Sequence, residues 1–345
     1  MPSRAVSSRG DPAAAVRGAI LSAGECGDKD QVSRSGPPTR STSVGHLALV
    51  GPTAVGKTEL AVELARRFGD LELVSVDAMA VYRELDIGTA KPTDSERRGV
   101  RWHLIDLVDP DEEFSVAQFQ RAADETIAGI ERRGHRALLV GGTGLYHRAV
   151  IDQLNLPGRF PEIAIELEAE ADRGLAPLYQ QLSELDAIAA TRIAPGNRRR
   201  IVRALEVTLG TGVPFSSFGP GLTEYGTNRF RQLGLRLDRA VLDERIARRL
   251  HGQLGAGFLG EVAHLATRPG GLARTARQAL GYRELLGHLA GEASFEAAVA
   301  ETLARTRAFA RRQERWFRRD PRVEWFDAER RDLVAAVIDA ATRDT

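Results

Sequence analysis

Gly51-Pro-Thr-Ala-Val-Gly-Lys-Thr58 carries the spacing Gly-x4-Gly-Lys-Thr of a phosphate-binding loop. Upstream, His46-Leu-Ala-Leu-Val50 reads as a buried strand, and downstream Glu59–Arg67 places Leu60, Ala61, Leu64 and Ala65 at helical spacing. Strand, glycine loop and helix in that order are the context the motif needs. The glycines let backbone N–H groups of Gly51, Pro52, Thr53, Ala54, Val55 and Gly56 wrap an anion wherever an N–H is present, and the helix N-terminus adds a positive field. Lys57 supplies a point charge, and the Thr58 hydroxyl is placed to ligate Mg²⁺. The loop specifies a polyphosphate or pyrophosphate without specifying a nucleotide.

The 345 residues suggest about two domains. A hydrophobic share of 43% with 28% charged residues is ordinary for a globular chain. No apolar run approaches the ~20 residues of a membrane span. With a formal net charge of +1, nucleic-acid binding must come from local patches. Lysine occurs at only three positions, Lys29, Lys57 and Lys91, in a chain whose positive charge is otherwise arginine, so Lys57 stands out. The single cysteine, Cys26, excludes an intramolecular disulfide and any Cys-based zinc finger, and fits a reducing, cytoplasmic setting. A monomer is expected.

Residues 1–44, rich in Ser, Arg, Gly and Pro, read as a disordered N-terminal extension. A first core segment spans 45–155. Leu71–Asp77 is a second strand ending in a carboxylate, and ligands of open parallel sheets bind at the carboxyl ends of strands, so topology brings Asp77 towards the phosphate loop; a turn or cap role is the alternative. Asp86-Ile-Gly-Thr-Ala-Lys-Pro92 is a polar turn, His103–Pro110 a short strand, and Phe114–Arg132 an amphipathic helix. Gly134–Thr143 is a further buried strand that runs into Gly141-Gly-Thr-Gly144. His103 and His135 read as structural, since no second His or Cys stands at ligand spacing. From 156 to 226 strand patterns vanish, and helical segments at Pro161–Ala171 and Leu178–Ala190 lead to four arginines, Arg198, Arg199, Arg200 and Arg203. This reads as a helical insertion. The core resumes over 227–345 with a strand at Phe230–Leu237, a long helix at Asp238–Leu259 with Arg245 and Arg249 on one face, and a final strand, Val323–Phe326. Eight arginines between Arg305 and Arg322, interleaved with Phe309, Trp316 and Phe317, suit a phosphate backbone and stackable bases, and equally a helix with one buried face. The fold class is α/β: a P-loop NTPase-like parallel sheet flanked by helices, carrying a helical insertion domain.

Together Gly51–Thr58, Ser75–Tyr82, Asp86–Pro92, His103–Pro110, Val140–Tyr146, Arg200–Val207, Gln278–Glu284 and Thr306–Phe317 resemble, in order and over roughly residues 46–326, the bacterial tRNA dimethylallyltransferases, also called tRNA isopentenyltransferases. The resemblance implies a P-loop fold that holds the pyrophosphate of dimethylallyl diphosphate and transfers the dimethylallyl group to N6 of the adenosine on the 3′ side of the tRNA anticodon. It assigns Lys57, Thr58 with Mg²⁺, and Arg249 to the pyrophosphate, Thr143 to the diphosphate near the breaking C–O bond, and Asp77 to the proton of the adenine amine. It assigns tRNA contact to Asp77, Ala78, Met79 and Ala80, to Arg199, Arg200 and Arg203, and to Gln278, Gly281, Tyr282 and Arg283. Four positions depart from the family pattern. Val55 stands where Ser or Thr is usual, Ala78 where Ser is common, Asn197 where Asp is common, and Ala164 where an Arg often touches tRNA.

Three other readings compete. A P-loop small-molecule kinase would need a second Mg²⁺-binding strand-end Asp, and no convincing one is present. An adenylate isopentenyltransferase acting on free nucleotide would lack the long C-terminal half with Gly281-Tyr-Arg283. An RNA-binding module would bind tRNA with no dependence on a diphosphate.

Overall fold

The computed structural model describes residues 45–219, 221–222 and 224–343, so the expected disorder of 1–44 lies outside the described residues. Six strands form one all-parallel sheet: β1 (His46–Val50), β2 (Leu71–Val76), β3 (Trp102–His103), β4 (Arg136–Gly141), β5 (Phe230–Arg236) and β6 (Val323–Asp327), in the order β3-β2-β4-β1-β5-β6. Successive strand residues point to opposite faces, and both faces are covered. Leu47, Leu49, Leu71, Leu73, Leu138 and Val140 pack under the Lys57–Phe68 and Leu333–Thr342 helices. Ala48, Val74, Val76, Ala137 and Leu139 meet the other face's helices, including Val116–Arg132 and Gly144–Ile151. Near-continuous apolar strands are what a sheet buried on both sides requires.

The topology sets up the site. The chain leaves β1, skips one position to β2, and returns through β4 to fill the gap. Val50 and Val76 both pair with Gly141, so the three central strands end at one level. The residues that follow, Gly51, Asp77 and Gly142-Thr143, therefore leave the sheet side by side. Gly141 is obligatory there, because a Cβ would lie 2.1 Å from the Val76 carbonyl oxygen.

Three expected elements differ. The His103–Pro110 strand shrinks to Trp102–His103, because Leu104 and Asp106 turn into the left-handed region (φ 60° and 58°). The Lys91 ammonium draws this segment out of line, bonding the Asp106 and Asp86 carboxylates and the Tyr82 carbonyl at 2.5–2.6 Å. The Asp238–Leu259 helix is two helices, Arg239–Gly255 and Phe258–Ala266, broken at Gly257 (φ 101°). Leu178–Ala190 also divides, at Asp186, whose side chain caps the second piece through the Ala189 N–H.

The helices from Pro161 to Thr211 bury Leu167, Leu178, Leu182, Ile201 and Leu205 against one another. Asn197 caps its helix by accepting from the Arg200 N–H at 3.3 Å. The returning segment is pinned by arginines. Arg148 donates to the Leu222 and Glu224 carbonyls, Arg322 donates to the Gly226 carbonyl, and both guanidinium groups face the Tyr225 ring.

At the opposite end of β2 from the site, Glu72 is buried. It accepts two hydrogen bonds from Arg133, at 2.9 and 2.7 Å, and lies 2.7 Å from His103 Nε2 and 2.9 Å from His135 Nδ1. Both histidines thus serve the fold. The Arg133 hydrogen bonds lead in holding the Glu72 carboxyl down to about 2 from its ordinary 4.5, against the opposing effect of burial. A carboxylate depressed on folding adds stability above its unfolded value and loses it as pH falls. Glu72→Gln is therefore expected to lower unfolding stability by about 2–3 kcal/mol at pH 7. The gap to wild type should close between pH 4.5 and about 2. Urea denaturation at pH 7, 5 and 3 measures it, and a gap unchanged at pH 3 would refute the assignment.

Candidate active site

The phosphate loop owes its shape to three left-handed or extended turns, at Gly51 (φ 147°), Ala54 (φ 63°) and Gly56 (φ 106°). A Cβ on Gly51 would sit 2.6 Å from the Leu235 carbonyl, so the loop is pressed against β5. Val55 is buried in the core against the sheet and is not on the channel lining. Lys57 Nζ donates to the Gly51 and Pro52 carbonyls at 3.0 and 2.7 Å. Burial first, then the Arg249 charge, push its ammonium down to about 7, with Asp77 opposing. An anion arriving beside Lys57 favours the charged form.

Arg249, from the Arg239–Gly255 helix, reaches into the same space. Its Nη1 donates to Thr53 Oγ1 at 3.2 Å and its Nη2 to the Thr89 carbonyl at 3.5 Å. Burial lowers its pKa, again with Asp77 opposing. Two cations and one carboxylate therefore share this end of the sheet. Asp77 Oδ1 accepts from the Met79 and Ala80 N–H groups at 2.8 and 3.3 Å, so the turn role and the channel-lining position coexist in one side chain. Thr143 Oγ1 accepts from the Ala78 N–H at 3.2 Å, tying the two strand-end turns together.

These groups line one channel of about 930 Å³, with Ala78, Met79, Thr58 and Gln278 also on its wall. The Asp86–Pro92 loop forms one side. Its Asp86, Ile87 and Gly88 N–H groups all donate to the Glu261 carboxylate at 2.7–3.2 Å, and Tyr282 donates its phenol proton to the same carboxylate at 2.5 Å. Gly88 is needed because a Cβ would meet the Phe258 and Tyr282 rings within 2.5 Å. Gln253 donates to the Ile87 and Gly88 carbonyls. Glu261, Gln253 and Gln313, which bridges the phosphate loop and the Thr143 turn, escape sequence reasoning. Gln313 lies inside the Thr306–Phe317 stretch, but nothing local signals what it bonds.

The residues expected to touch tRNA fall into two groups. Arg199 and Gln278 are exposed on the channel lining, and Arg200 and Arg283 are exposed beside them in sequence. The others are occupied within the protein. Arg203 donates to the Pro157 and Gly158 carbonyls and pairs with Glu206 at 2.8 Å. Tyr282 is fully buried, and Gly281 (φ 87°) lies against the Phe258 ring, where a Cβ would come within 2.6 Å. Ala80 is buried, while Ala78 and Met79 are half-buried on the channel. Ala164 is half-buried in the Pro161–Arg173 helix. Among the described residues, Arg311, Arg312, Arg315 and Arg319 are exposed and carry no ion pair.

A metal here would have the Thr58 hydroxyl on the channel wall, and among the described residues there is no cluster of three His, Cys, Asp or Glu side chains. That donor set suits Mg²⁺, which takes most of its ligands from phosphate oxygens and water.

No helix among the described residues is long and apolar enough to cross a membrane. The profile of the family described as IPP transferase matches residues 80–320. The chain is 47% identical to a tRNA dimethylallyltransferase of Salinispora arenicola over 85% of each chain. It superposes on the full-length tRNA isopentenylpyrophosphate transferase of Bacillus halodurans with a TM-score of 0.63 and 39% identity, covering 86% of this chain and 97% of that one. A eukaryotic dimethylallyltransferase acting on tRNA gives a TM-score of 0.71 at 26% identity, over 85% and 77%. Since the profile spans most of the chain, including the Asp86–Pro92 wall, Arg249 and the arginine-rich helix, and a relative 47% identical is matched over 85% of its length, this chain belongs to the IPP transferase family.

Proposed function

We propose that this protein transfers the dimethylallyl group from dimethylallyl diphosphate to N6 of the adenosine 3′-adjacent to the anticodon in tRNA, releasing pyrophosphate, and that it works as a cytoplasmic monomer. The observation that carries the reading is the meeting of Lys57, Arg249, Thr143 and Asp77 in a single channel at the ends of three adjacent strands. An allylic diphosphate ionises when its leaving pyrophosphate is stabilised, so fixed positive charge and N–H dipoles aimed at that group carry much of the catalysis. Lys57, Arg249 and the loop amides take that role, and the Thr143 hydroxyl bonds the oxygen at the breaking bond. The Thr58 hydroxyl would hold a Mg²⁺ ion, which would supply positive charge to the pyrophosphate.

The acceptor amine is weakly nucleophilic because its lone pair is shared with the purine ring. A positioned carboxylate that takes its proton therefore matters. Asp77 fills that role, while its Oδ1 is held by two backbone N–H groups. The base must leave the anticodon stack to enter the channel. Ala78, Met79 and Ala80, with Gln278, Gly281, Tyr282 and Arg283, shape the passage. Arg199 and Arg200, on the proposed insertion domain of 156–226, and the exposed Arg311, Arg312, Arg315 and Arg319 of the 305–322 arginine-rich run meet the RNA backbone. Arg203 and Tyr282 contribute through the carbonyls and the carboxylate they already hold.

Incubation with labelled dimethylallyl diphosphate, Mg²⁺ and unmodified tRNA is expected to put label into tRNA at the adenosine following the anticodon. Label in free AMP, or ATP turnover without label in tRNA, would replace this reading with one of its rivals.

A further inference from the structure

Gln313 sits in the Phe295–Phe317 helix, far in sequence from both catalytic turns, yet it touches both. Its Oε1 accepts from the Thr53 N–H at 2.8 Å, and its Nε2 donates to the Gly142 carbonyl at 2.9 Å. The two partners fix the amide's orientation, since a backbone N–H needs the oxygen and a carbonyl needs the NH₂. The side chain is buried and has no slack. A Cβ on Gly142 would lie 2.1 Å from Nε2. The helix that carries it is locked in place by buried Ala310 and Phe317, and by Trp316, which lies against Gly144 so closely that a Cβ there would come within 2.2 Å. Thr53 is thus held twice, its amide by Gln313 and its hydroxyl by Arg249.

We propose that Gln313 is a positioning residue that sets the spacing between the pyrophosphate cradle and the Thr143 turn. The proposal rests on the reaction assigned above, because that reaction needs both turns on one substrate: the cradle takes the departing pyrophosphate while Thr143 bonds the oxygen at the breaking C–O bond. Each turn alone can bind an anion. Only their registry makes the two contacts coincide as the bond lengthens, and misplacement of about 1 Å can cost on the order of 10²-fold in rate. Beyond the Val50–Gly141 strand pairing, Gln313 is a side-chain link between the phosphate loop and the residue preceding Thr143.

The test uses the full-length protein and two variants. Gln313→Met keeps the volume and loses both hydrogen bonds. Gln313→Asn keeps the amide but is one methylene too short to span both partners. A packing role predicts that Met behaves as wild type. The registry role predicts that both variants lose about 30- to 100-fold in kcat, while their Kd for inorganic pyrophosphate stays within about threefold and amide exchange at Thr53 speeds up. Either variant keeping kcat within twofold of wild type overturns the proposal. So does an equal loss in kcat and in pyrophosphate affinity, which would make Gln313 a support for the anion loop alone. If wild-type protein moves no label into tRNA, the assigned reaction fails separately. Exchange at Thr53 then still decides the link, and unchanged protection in Gln313→Met refutes it.

Discussion

Asp77→Asn is expected to slow prenyl transfer to tRNA by about 10²–10⁴-fold while leaving the fold intact and pyrophosphate binding unchanged or tighter. The asparagine Oδ1 can still accept from the Met79 and Ala80 N–H groups, so the turn after β2 survives. What is lost is a group able to take a proton. Binding should not weaken, because removing the Asp77 carboxylate from the channel wall removes its repulsion of the incoming anion, and the bound anion itself then favours the charged form of Lys57 that Asp77 favours in its absence. Single-turnover transfer of label, with pyrophosphate titration by calorimetry on the same preparation, separates the two effects. Transfer within tenfold of wild type would reduce Asp77 to positioning the amine.

Lys57→Met should cut kcat by about 10²–10³-fold, the scale seen when one preorganised stabiliser of developing negative charge is removed. Unlike the Asp77 variant, it should also weaken pyrophosphate binding, because the ammonium serves the bound ground state as well as the leaving group. Lys57→Arg is not expected to rescue. The ammonium fits between the Gly51 and Pro52 carbonyls, 3.0 and 2.7 Å away, and a planar guanidinium has neither the size nor the donor geometry for that niche. Thermal unfolding of both variants checks that the loop still folds. A Lys57→Met protein with wild-type kcat would move the electrostatic role to Arg249 and the metal.

The central part of the fold was readable because its signals are local. The loop glycines, the strand before them and the helix after them stand in one stretch, and Leu71–Asp77 and Arg136–Thr143 repeat the apolar run ending in a polar turn. Of the three segments that differed, two break at a residue of their own, Gly257 and Asp186, and the third lies where a distant side chain sets the backbone. Lys91 bends the residues after His103 out of the sheet, and no periodicity within 103–110 encodes a lysine twelve residues upstream. The same holds at the site. Asp77 and Thr143 could be placed from strand ends, but Glu261 gathers three N–H groups from a loop more than 170 residues away. Tyr282 and Arg203 sit in quoted motifs, yet their burial and inward bonds depend on which neighbours the fold delivers. A resemblance names such residues without telling which of them support the channel wall and which face the ligand.

The strand order has a consequence for synthesis on the ribosome. β1 is made first of the six, but its two neighbours are β4, about 90 residues later, and β5, which pairs with it from Phe230 onward. Until Arg236 has been translated, the strand bearing the phosphate loop has an open edge. The helices between Pro161 and Thr211, whose apolar side chains meet one another, emerge during that wait and have a core of their own to close. Chain growth thus leaves the most catalytic strand as a long-lived sticky edge, exposed to misassembly in a way its central place in the finished sheet conceals. A stalled or truncated product ending before β5 is the species from which aggregation of this protein should start.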